Sequence, residues 1–238
     1  MKRVLALLFV GMVFNSPRLF AEPYIGVHGG YLLPLDLTSV MIAGTNIPPG
    51  TTSTPIHYEG TGFWGATLGY FTYGIPWLGI AAYVDVSKQN QTNETLTVVT
   101  PVWGPIVSTT LSVNSGTGTL SVVETDFLVM FRYPNRYAEP YGGFGVAILG
   151  ATRTLGTATA YGETIVYNVS ASTVAPGLNV RAGIRFAKRW HVAPYIEWKF
   201  TLSEFSFFPT GGASSSGISG VKGTFMSNSV LGGLSYVY

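Results

Sequence analysis

The sequence contains no cysteine, few charged residues and no basic run, and each of these absences excludes a class of protein. Without cysteine, neither disulfide bonds nor thiol chemistry is possible. Charged residues make up 10% of the chain, whereas a typical water-soluble domain has about 25%. Because Lys and Arg form no run or stripe after residue 21, nucleic acid is not an expected partner.

Long apolar runs are also missing after residue 21, although 47% of all residues are hydrophobic and 14% are aromatic. A transmembrane helix needs about 20 consecutive apolar residues, so the sequence predicts no such helix there. An apolar, charge-poor chain without a spanning helix is typical of a transmembrane β-barrel. In a barrel, apolar residues that face lipid alternate with polar residues that face the interior.

The first 21 residues have the features of a signal peptide. Lys2 and Arg3 precede an apolar run over 4–14, which is too short to span a bilayer as a helix. Polar residues and a proline interrupt the run at 15–18, which argues against an N-terminal anchor helix. We place the cleavage site after Ala21 and predict that the exported remainder forms one barrel domain.

Eight segments alternate apolar and polar residues with the period of two that predicts a β-strand. The segments are 24–33, 60–71, 77–88, 122–133, 139–153, 175–186, 191–203 and 224–238. Four long polar connections alternate with three short turns, which lie at 72–76, 134–138 and 187–190. Outer-membrane barrels have long outer loops and short periplasmic turns. We therefore predict an all-β, eight-stranded antiparallel up-and-down barrel with both termini in the periplasm, although a soluble sandwich could share the residue alternation.

The last nine residues, VLGGLSYVY, place Leu234, Tyr236 and Tyr238 on one face of a strand that ends the chain. An ordinary edge strand can also end in this way. Together with the strand starts EPYIGVHGGY and EPYGGFGV, however, this terminus resembles the small eight-stranded outer-membrane barrels, such as the OmpA membrane domain, OmpX and opacity-type proteins. The resemblance implies that the chain is surrounded by outer-membrane lipid. It also implies that the barrel-insertion machinery reads these three side chains.

The alternation predicts that nine charged side chains face the barrel interior. A buried charge needs a partner, and an eight-stranded barrel has room only for its own side chains or one small ligand. We therefore predict a closed charge network. Arg132 and Arg153 lie toward opposite ends of their strands, so Arg153 is not expected to join it. The predicted network consists of Asp85, Glu124, Asp126, Arg132, Arg181, Arg185, Glu197 and Lys199. The alternative is a narrow ion path lined by Arg181 and Arg185.

Enzymatic interpretations rest on few residues. Glu124 and Asp126 have a spacing that could serve acid–base chemistry, but we expect arginines to neutralise them. Some barrels of this family modify lipid A and need a histidine with serine partners near the outer rim. His57 with Ser53 is the candidate pair here, whereas His28 is expected to be a hydrogen-bonded interior group. The three histidines lack the spacing of a metal site, and no metal or cofactor is predicted.

The long connections are the predicted location of specific function, because loops carry binding on a rigid scaffold. Their Thr-, Ser- and Gly-rich composition identifies no ligand chemistry. The leading hypothesis is a monomeric, non-enzymatic outer-membrane protein with a structural or surface-interaction role. A host or cell-surface ligand would then bind through the loops. The loops could also shield the cell or pair as β-ribbons above the membrane, since 96–106 has β-propensity. A narrow channel and a lipid A-modifying enzyme remain the alternatives.

Overall fold

The computed structural model describes most of the chain after the predicted signal peptide. The described residues are 22–33, 35–44, 50–72, 74–92, 94–100, 109–115, 118–135, 137–160, 163–186, 191–207 and 218–238. The predicted signal peptide and the predicted turn at 187–190 lie outside this set. Within the described segments, no helix is long and apolar enough to cross a membrane.

Thirteen β-strands account for nearly all of the described residues. They are β1 (Glu22–Leu32), β2 (Leu35–Gly44), β3 (Thr52–Ser53), β4 (Ile56–Tyr58), β5 (Thr61–Phe71), β6 (Leu78–Asn90), β7 (Glu94–Thr100), β8 (Thr109–Ser115), β9 (Gly118–Arg132), β10 (Ala138–Ala160), β11 (Glu163–Phe186), β12 (Val192–Phe207) and β13 (Ile218–Val237). The fold class predicted from the sequence is confirmed as all-β and antiparallel.

Eight of these strands close into a barrel, in the order β1–β5–β6–β9–β10–β11–β12–β13 and back to β1. All eight pairings are antiparallel. Closure is made by β13 on β1, with a register that runs from Tyr24 opposite Val237 to Leu32 opposite Ser229. Closing the ring satisfies the backbone groups of both strands that would otherwise be edges.

The outer surface of the barrel is an apolar belt, because the alternating residues that face outward are almost all hydrophobic. Trp64, Phe127, Phe144 and Leu234 are each at least half exposed. Aromatic rings concentrate at the barrel end that carries the short turns, where Phe131 stacks on Trp77 and on Phe144 at centroid distances of 6.0 and 6.1 Å. An exposed apolar belt with aromatic rings at its border is what a bilayer requires.

Glycines on the inner face let large side chains cross the interior. A Cβ atom at Gly69 would lie 2.7 Å from the ring of Tyr24, and one at Gly183 would lie 2.8 Å from the Tyr141 hydroxyl. A Cβ atom at Gly143 would collide with Met130. The inner glycines therefore provide the space into which side chains of neighbouring strands lean.

In their described parts, the long polar connections are largely β-structure, which corrects the prediction that they are loops and agrees with the alternative that they pair as β-ribbons. The stretch 154–172 continues β10 and β11 as a paired hairpin. The stretch 34–57 contains β2, which pairs with β13 and β4, and the stretch 89–120 contains the hairpin β7–β8. Threonine has high β-propensity, and a neighbouring strand that offers hydrogen bonds favours strand formation in these stretches. We call β2, β3, β4, β7, β8 and the outward extensions of the barrel strands the outer tier.

One pairing in the barrel wall ends early. Strands β11 and β12 pair only from Arg185 opposite Tyr195 up to Gly177 opposite Ser203, although both strands continue outward. The Ser203 hydroxyl donates to the carbonyl of Pro176 at 2.9 Å at this point. Beyond the last pair, the buried ring of Phe205 lies inside the barrel and packs against Phe207. Apolar side chains therefore fill the interior at this height.

Candidate functional site

The interior of the barrel holds the charged side chains that the sequence pattern selected. Every residue of the predicted network is buried and lies on the inward-facing side of its strand. The structure divides them between two layers rather than one network. The central layer contains Asp85, Glu124, Asp126, Arg181, Glu197 and Lys199, and the lower layer, at the end with the short turns, contains Arg132 and Arg185.

Arg181 is the centre of the central layer and is 1% exposed. Its guanidinium donates to Asp85 and Asp126 at 2.6 Å each and to Glu197 at 2.8 Å. The same group lies 3.7 Å from the centroid of the Tyr83 ring, within the range of a cation–π contact. One cation thus joins carboxylates from three different strands across the interior.

Lys199 joins the remaining carboxylate to this layer. Its ammonium donates to Asp85 at 2.6 Å and to Glu124 at 2.7 Å. Glu124 also accepts from Asn179 at 2.9 Å and from Thr201 at 2.8 Å. The pair proposed for acid–base chemistry, Glu124 and Asp126, is therefore held by cations.

Polar side chains outside the predicted charge network complete the central layer. The Tyr141 hydroxyl donates to Glu197 at 2.8 Å, and a ring nitrogen of His28 lies 2.6 Å from a carboxylate oxygen of Asp85. The other ring nitrogen of His28 lies 3.1 Å from the Tyr195 hydroxyl. His28 is thus the hydrogen-bonded interior group that its position in β1 predicted. The signal that could have found the tyrosines is their inward position in the alternation, which they share with the charged residues.

The lower layer is a separate ion cluster. Arg132 contacts Glu22 at 2.7 Å and Glu139 at 3.3 Å, and it donates to the carbonyl of Pro76 at 2.7 Å. Arg185 also donates to Glu139, at 3.2 Å. Glu139 was missed because it stands at the start of a predicted strand, where facing is hard to assign. This layer closes the interior at the end with the short turns.

Above the central layer the interior becomes apolar. The buried side chains there are Leu32, Phe63, Leu120, Val122, Leu149, Phe205, Phe207 and Phe225. Leu37 and Val40 of β2 and Ile56 of β4 belong to the same buried cluster and cover it from outside. The sequence did not predict this cap, because the composition of 34–57 predicts a loop.

A small cavity separates the central layer from the apolar layer. Its lining includes Glu124 and Lys199 together with the hydroxyls of Ser87, Ser227 and Ser229. The cavity volume of about 20 Å³ is enough for one water molecule. It does not form a path through the interior.

Arg153 lies at the outer end of the interior, away from both layers, as its position in the sequence predicted. Its guanidinium donates to Gln91 at 3.2 Å. Tyr58 lies nearby, and burial raises the pKa of its hydroxyl above the usual range, while the positive charge of Arg153 opposes that effect.

The other two histidines lie outside the interior layers. His57 is hydrogen-bonded to Asp36, directly opposite it in the pairing of β4 with β2, and both side chains are exposed. His191 contacts the carbonyl of Val237 at 3.1 Å at the end with the short turns. Among the described residues, no group of three or more His, Asp or Glu side chains could hold a metal ion.

Structural comparison identifies the architecture. OprG from Pseudomonas aeruginosa is 16% identical, with 91% of this chain and 96% of OprG covered and a TM-score of 0.53. Neisserial surface protein A is 12% identical, with coverages of 91% and 97% and a TM-score of 0.46. Ail of Yersinia pestis, solved with the heparin analogue sucrose octasulfate, is 12% identical, with coverages of 91% and 99% and a TM-score of 0.40.

No protein-family model matches the sequence, and no curated protein matches it either. At 16% identity the OprG match is informative about fold rather than about activity. The closed ring of eight antiparallel strands, the apolar belt and this match agree. The chain has the fold of the small eight-stranded outer-membrane β-barrels.

Proposed function

We propose that this protein is a bacterial outer-membrane barrel with a closed interior, whose role is structural or depends on surface contacts made by the outer tier. The observation that carries the proposal is the filling of the interior. Two ion layers and one apolar layer lie in succession along the barrel axis. An interior filled in this way leaves no open path for ions or solutes. We therefore assign specific binding to the outer surface.

The narrow-channel alternative requires mobile or mismatched charges along an open path. Arg181, one of the two residues that would line such a path, has three carboxylate partners within 2.8 Å. Arg185 pairs with Glu139 and lies 4.5 Å from the centroid of the Tyr24 ring. Both guanidinium groups are thus engaged in holding the wall together, which supports the closed interior.

The orientation in the membrane follows from the connection lengths. The end with short turns also carries Pro23 and Tyr238, which are joined by a backbone hydrogen bond of 3.1 Å. We place this end in the periplasm and the outer tier outside the cell, as in barrels with long outer loops. Leu234, Tyr236 and Tyr238 are exposed on the outward face of β13. We propose that insertion machinery reads these three side chains after export and cleavage following Ala21.

We also propose that the chain is not an enzyme. Glu124 and Asp126 are paired with cations and buried inside the barrel, so neither carboxylate lies on a surface that a substrate could reach. His57 is hydrogen-bonded to Asp36, and the Ser53 hydroxyl has no hydrogen-bond partner among the described residues, so the two do not form the histidine–serine pair of a lipid A-modifying site.

The test is single-channel conductance of the refolded chain 22–238 in a planar bilayer. Insertion is verified on the same sample by heat-modifiable gel migration, and an open porin serves as the positive control. We expect a folded protein that shows no discrete conductance steps. Steady steps that change in Arg181→Ala or Arg185→Ala would make the protein a pore and overturn the closed interior.

The surface role is tested separately with cells that display the protein. Attachment to cultured epithelial cells is compared between the intact chain and a variant in which residues 35–58 are replaced by a short turn. Heat-modifiable migration shows that the variant barrel is folded. Loss of attachment in the variant is the expected result, and equal attachment would exclude β2, β3 and β4 as the contact surface.

A further inference from the structure

Unpartnered polar atoms gather at the outer end of the barrel interior. Within the described part of the chain, five buried side-chain atoms in this region have no hydrogen-bond partner. They are Tyr58 Oη, Gln89 Oε1, Gln89 Nε2, Gln91 Nε2 and Arg153 Nε. None of the four side chains is more than 5% exposed. Buried polar groups are normally satisfied, so this concentration needs an explanation.

The four side chains form one patch of the inner wall, which we call the outer cluster. Tyr58 and Gln91 face each other in a β-bridge, and Arg153 donates to Gln91 at 3.2 Å. Gln89 and Arg153 both lie opposite Leu120 of β9, one on each neighbouring strand. The unsatisfied atoms of these residues therefore lie in one small region rather than scattered along the barrel.

The charge of this patch is also unbalanced. The other interior cations each contact at least one carboxylate, as Arg132, Arg185 and Lys199 do. Arg153 contacts none among the side chains that the structure describes. Arg153 lies opposite Leu120 of β9, and Glu124 is four residues further along that strand. At strand spacing, the two backbone positions are about 13 Å apart. That separation is far beyond an ion pair, so the guanidinium is buried without a counter-charge.

We propose that the outer cluster binds a small oxyanion such as phosphate. The cluster offers the Nε–H of Arg153, the amide groups of Gln89 and Gln91, and the hydroxyl of Tyr58, all of which can donate. An oxyanion accepts several hydrogen bonds at once and neutralises the guanidinium, to which it bonds strongly. Water would satisfy the hydrogen bonds but would leave the charge unbalanced.

The position of the cluster gives the anion a structural consequence. Tyr58 belongs to β4, which pairs with β2 in the cap over the apolar layer. Gln89, Gln91 and Arg153 belong to the barrel wall. A bound anion therefore links the cap to the wall, and its binding stabilises the closed form of the outer end.

The test uses the refolded chain 22–238 and sodium phosphate as the probe. Phosphate replaces sodium chloride at constant ionic strength, and the midpoint of thermal unfolding is followed by heat-modifiable migration. We expect the midpoint to rise with each tenfold increase in phosphate above the dissociation constant. Arg153→Gln is expected to abolish this rise, and Gln89→Leu to weaken the apparent affinity at least about tenfold.

Arg185→Gln is the matched control, because it removes an interior cation that already has a carboxylate partner. It is expected to keep the phosphate dependence even if its midpoint is lower. A wild-type midpoint that does not respond to phosphate would mean that water fills the cluster and would overturn the proposal. An equal response in Arg153→Gln would place the anion elsewhere and overturn it as well. If Arg153→Gln does not fold, Arg153→Lys keeps the charge, and the proposal then requires a weaker but measurable phosphate response.

Discussion

Replacing Arg181 with methionine is the sharpest test of how the interior is held together. The substitution keeps much of the side-chain length and removes the charge. Three carboxylates then lose a hydrogen bond of 2.6–2.8 Å in a region that is closed to solvent. Glu197 is affected most, because Arg181 is its only cationic partner among the described residues, whereas Asp126 keeps Lys199 at 3.9 Å.

The expected loss is about 3–5 kcal/mol of the free energy of unfolding, which is the usual effect of removing one partner of a buried ion pair. Three separate losses of this size are not expected to add. Asp85 and Asp126 keep Lys199 as a second partner and can rearrange around it. Adding Asp126→Asn to Arg181→Met removes one uncompensated charge, so the double variant should recover part of the loss.

The free energy of unfolding is measured by urea titration of the protein refolded in lipid vesicles, with heat-modifiable migration as the readout. Lys222→Met is the control, because Lys222 pairs with Glu204 on the exposed side of the outer tier. Such an exposed pair contributes about 0–1 kcal/mol. If Arg181→Met lost no more stability than Lys222→Met, the central layer would not be a buried ion network.

Three further predictions follow from packing and orientation. Gly65→Ala should prevent or strongly destabilise folding, because its Cβ would lie 2.5 Å from a His28 ring nitrogen. Gly62→Ala is the control and should be tolerated, because the nearest atom to its Cβ would be 3.9 Å away. The measurement is the refolding yield of each variant. Phe205→Ala should lower the free energy of unfolding by about 3–5 kcal/mol through cavity formation in the apolar layer, measured by urea titration. Tyr238→Ala should slow assembly by purified insertion machinery more than spontaneous refolding in detergent, and equal slowing in both assays would contradict its role as a signal.

The alternation of apolar and polar residues was sufficient to determine the barrel strands. A strand places successive side chains on opposite faces, so a segment such as 122–133, with all its charges on one face, has only one possible facing in a membrane. The connection lengths then ordered the strands as antiparallel neighbours. Both inferences are local, because they depend on residues adjacent in sequence.

The outer tier was not predictable by the same reasoning. The stretches at 34–57 and 154–172 lack a clean alternation, and proline, threonine, serine and glycine dominate them. Their strands form because neighbouring strands offer backbone hydrogen bonds, as β13 does for β2. That stabilisation comes from tertiary structure, and local composition gives no sign of it.

The interior shows the same division. The sequence by itself determined that the nine predicted charges face inward, because facing is set by the parity of each position along its strand. Only the tertiary structure decided which of them meet, because barrel closure and strand stagger bring Arg181 of β11 to Asp85 of β6, 96 residues earlier in the chain. It also separated Arg132 and Arg185 into a second layer and left Arg153 without a carboxylate partner among the described side chains. The face on which a residue lies depends on its own strand alone. Its position along the barrel axis and the residues that it contacts depend on the closed ring.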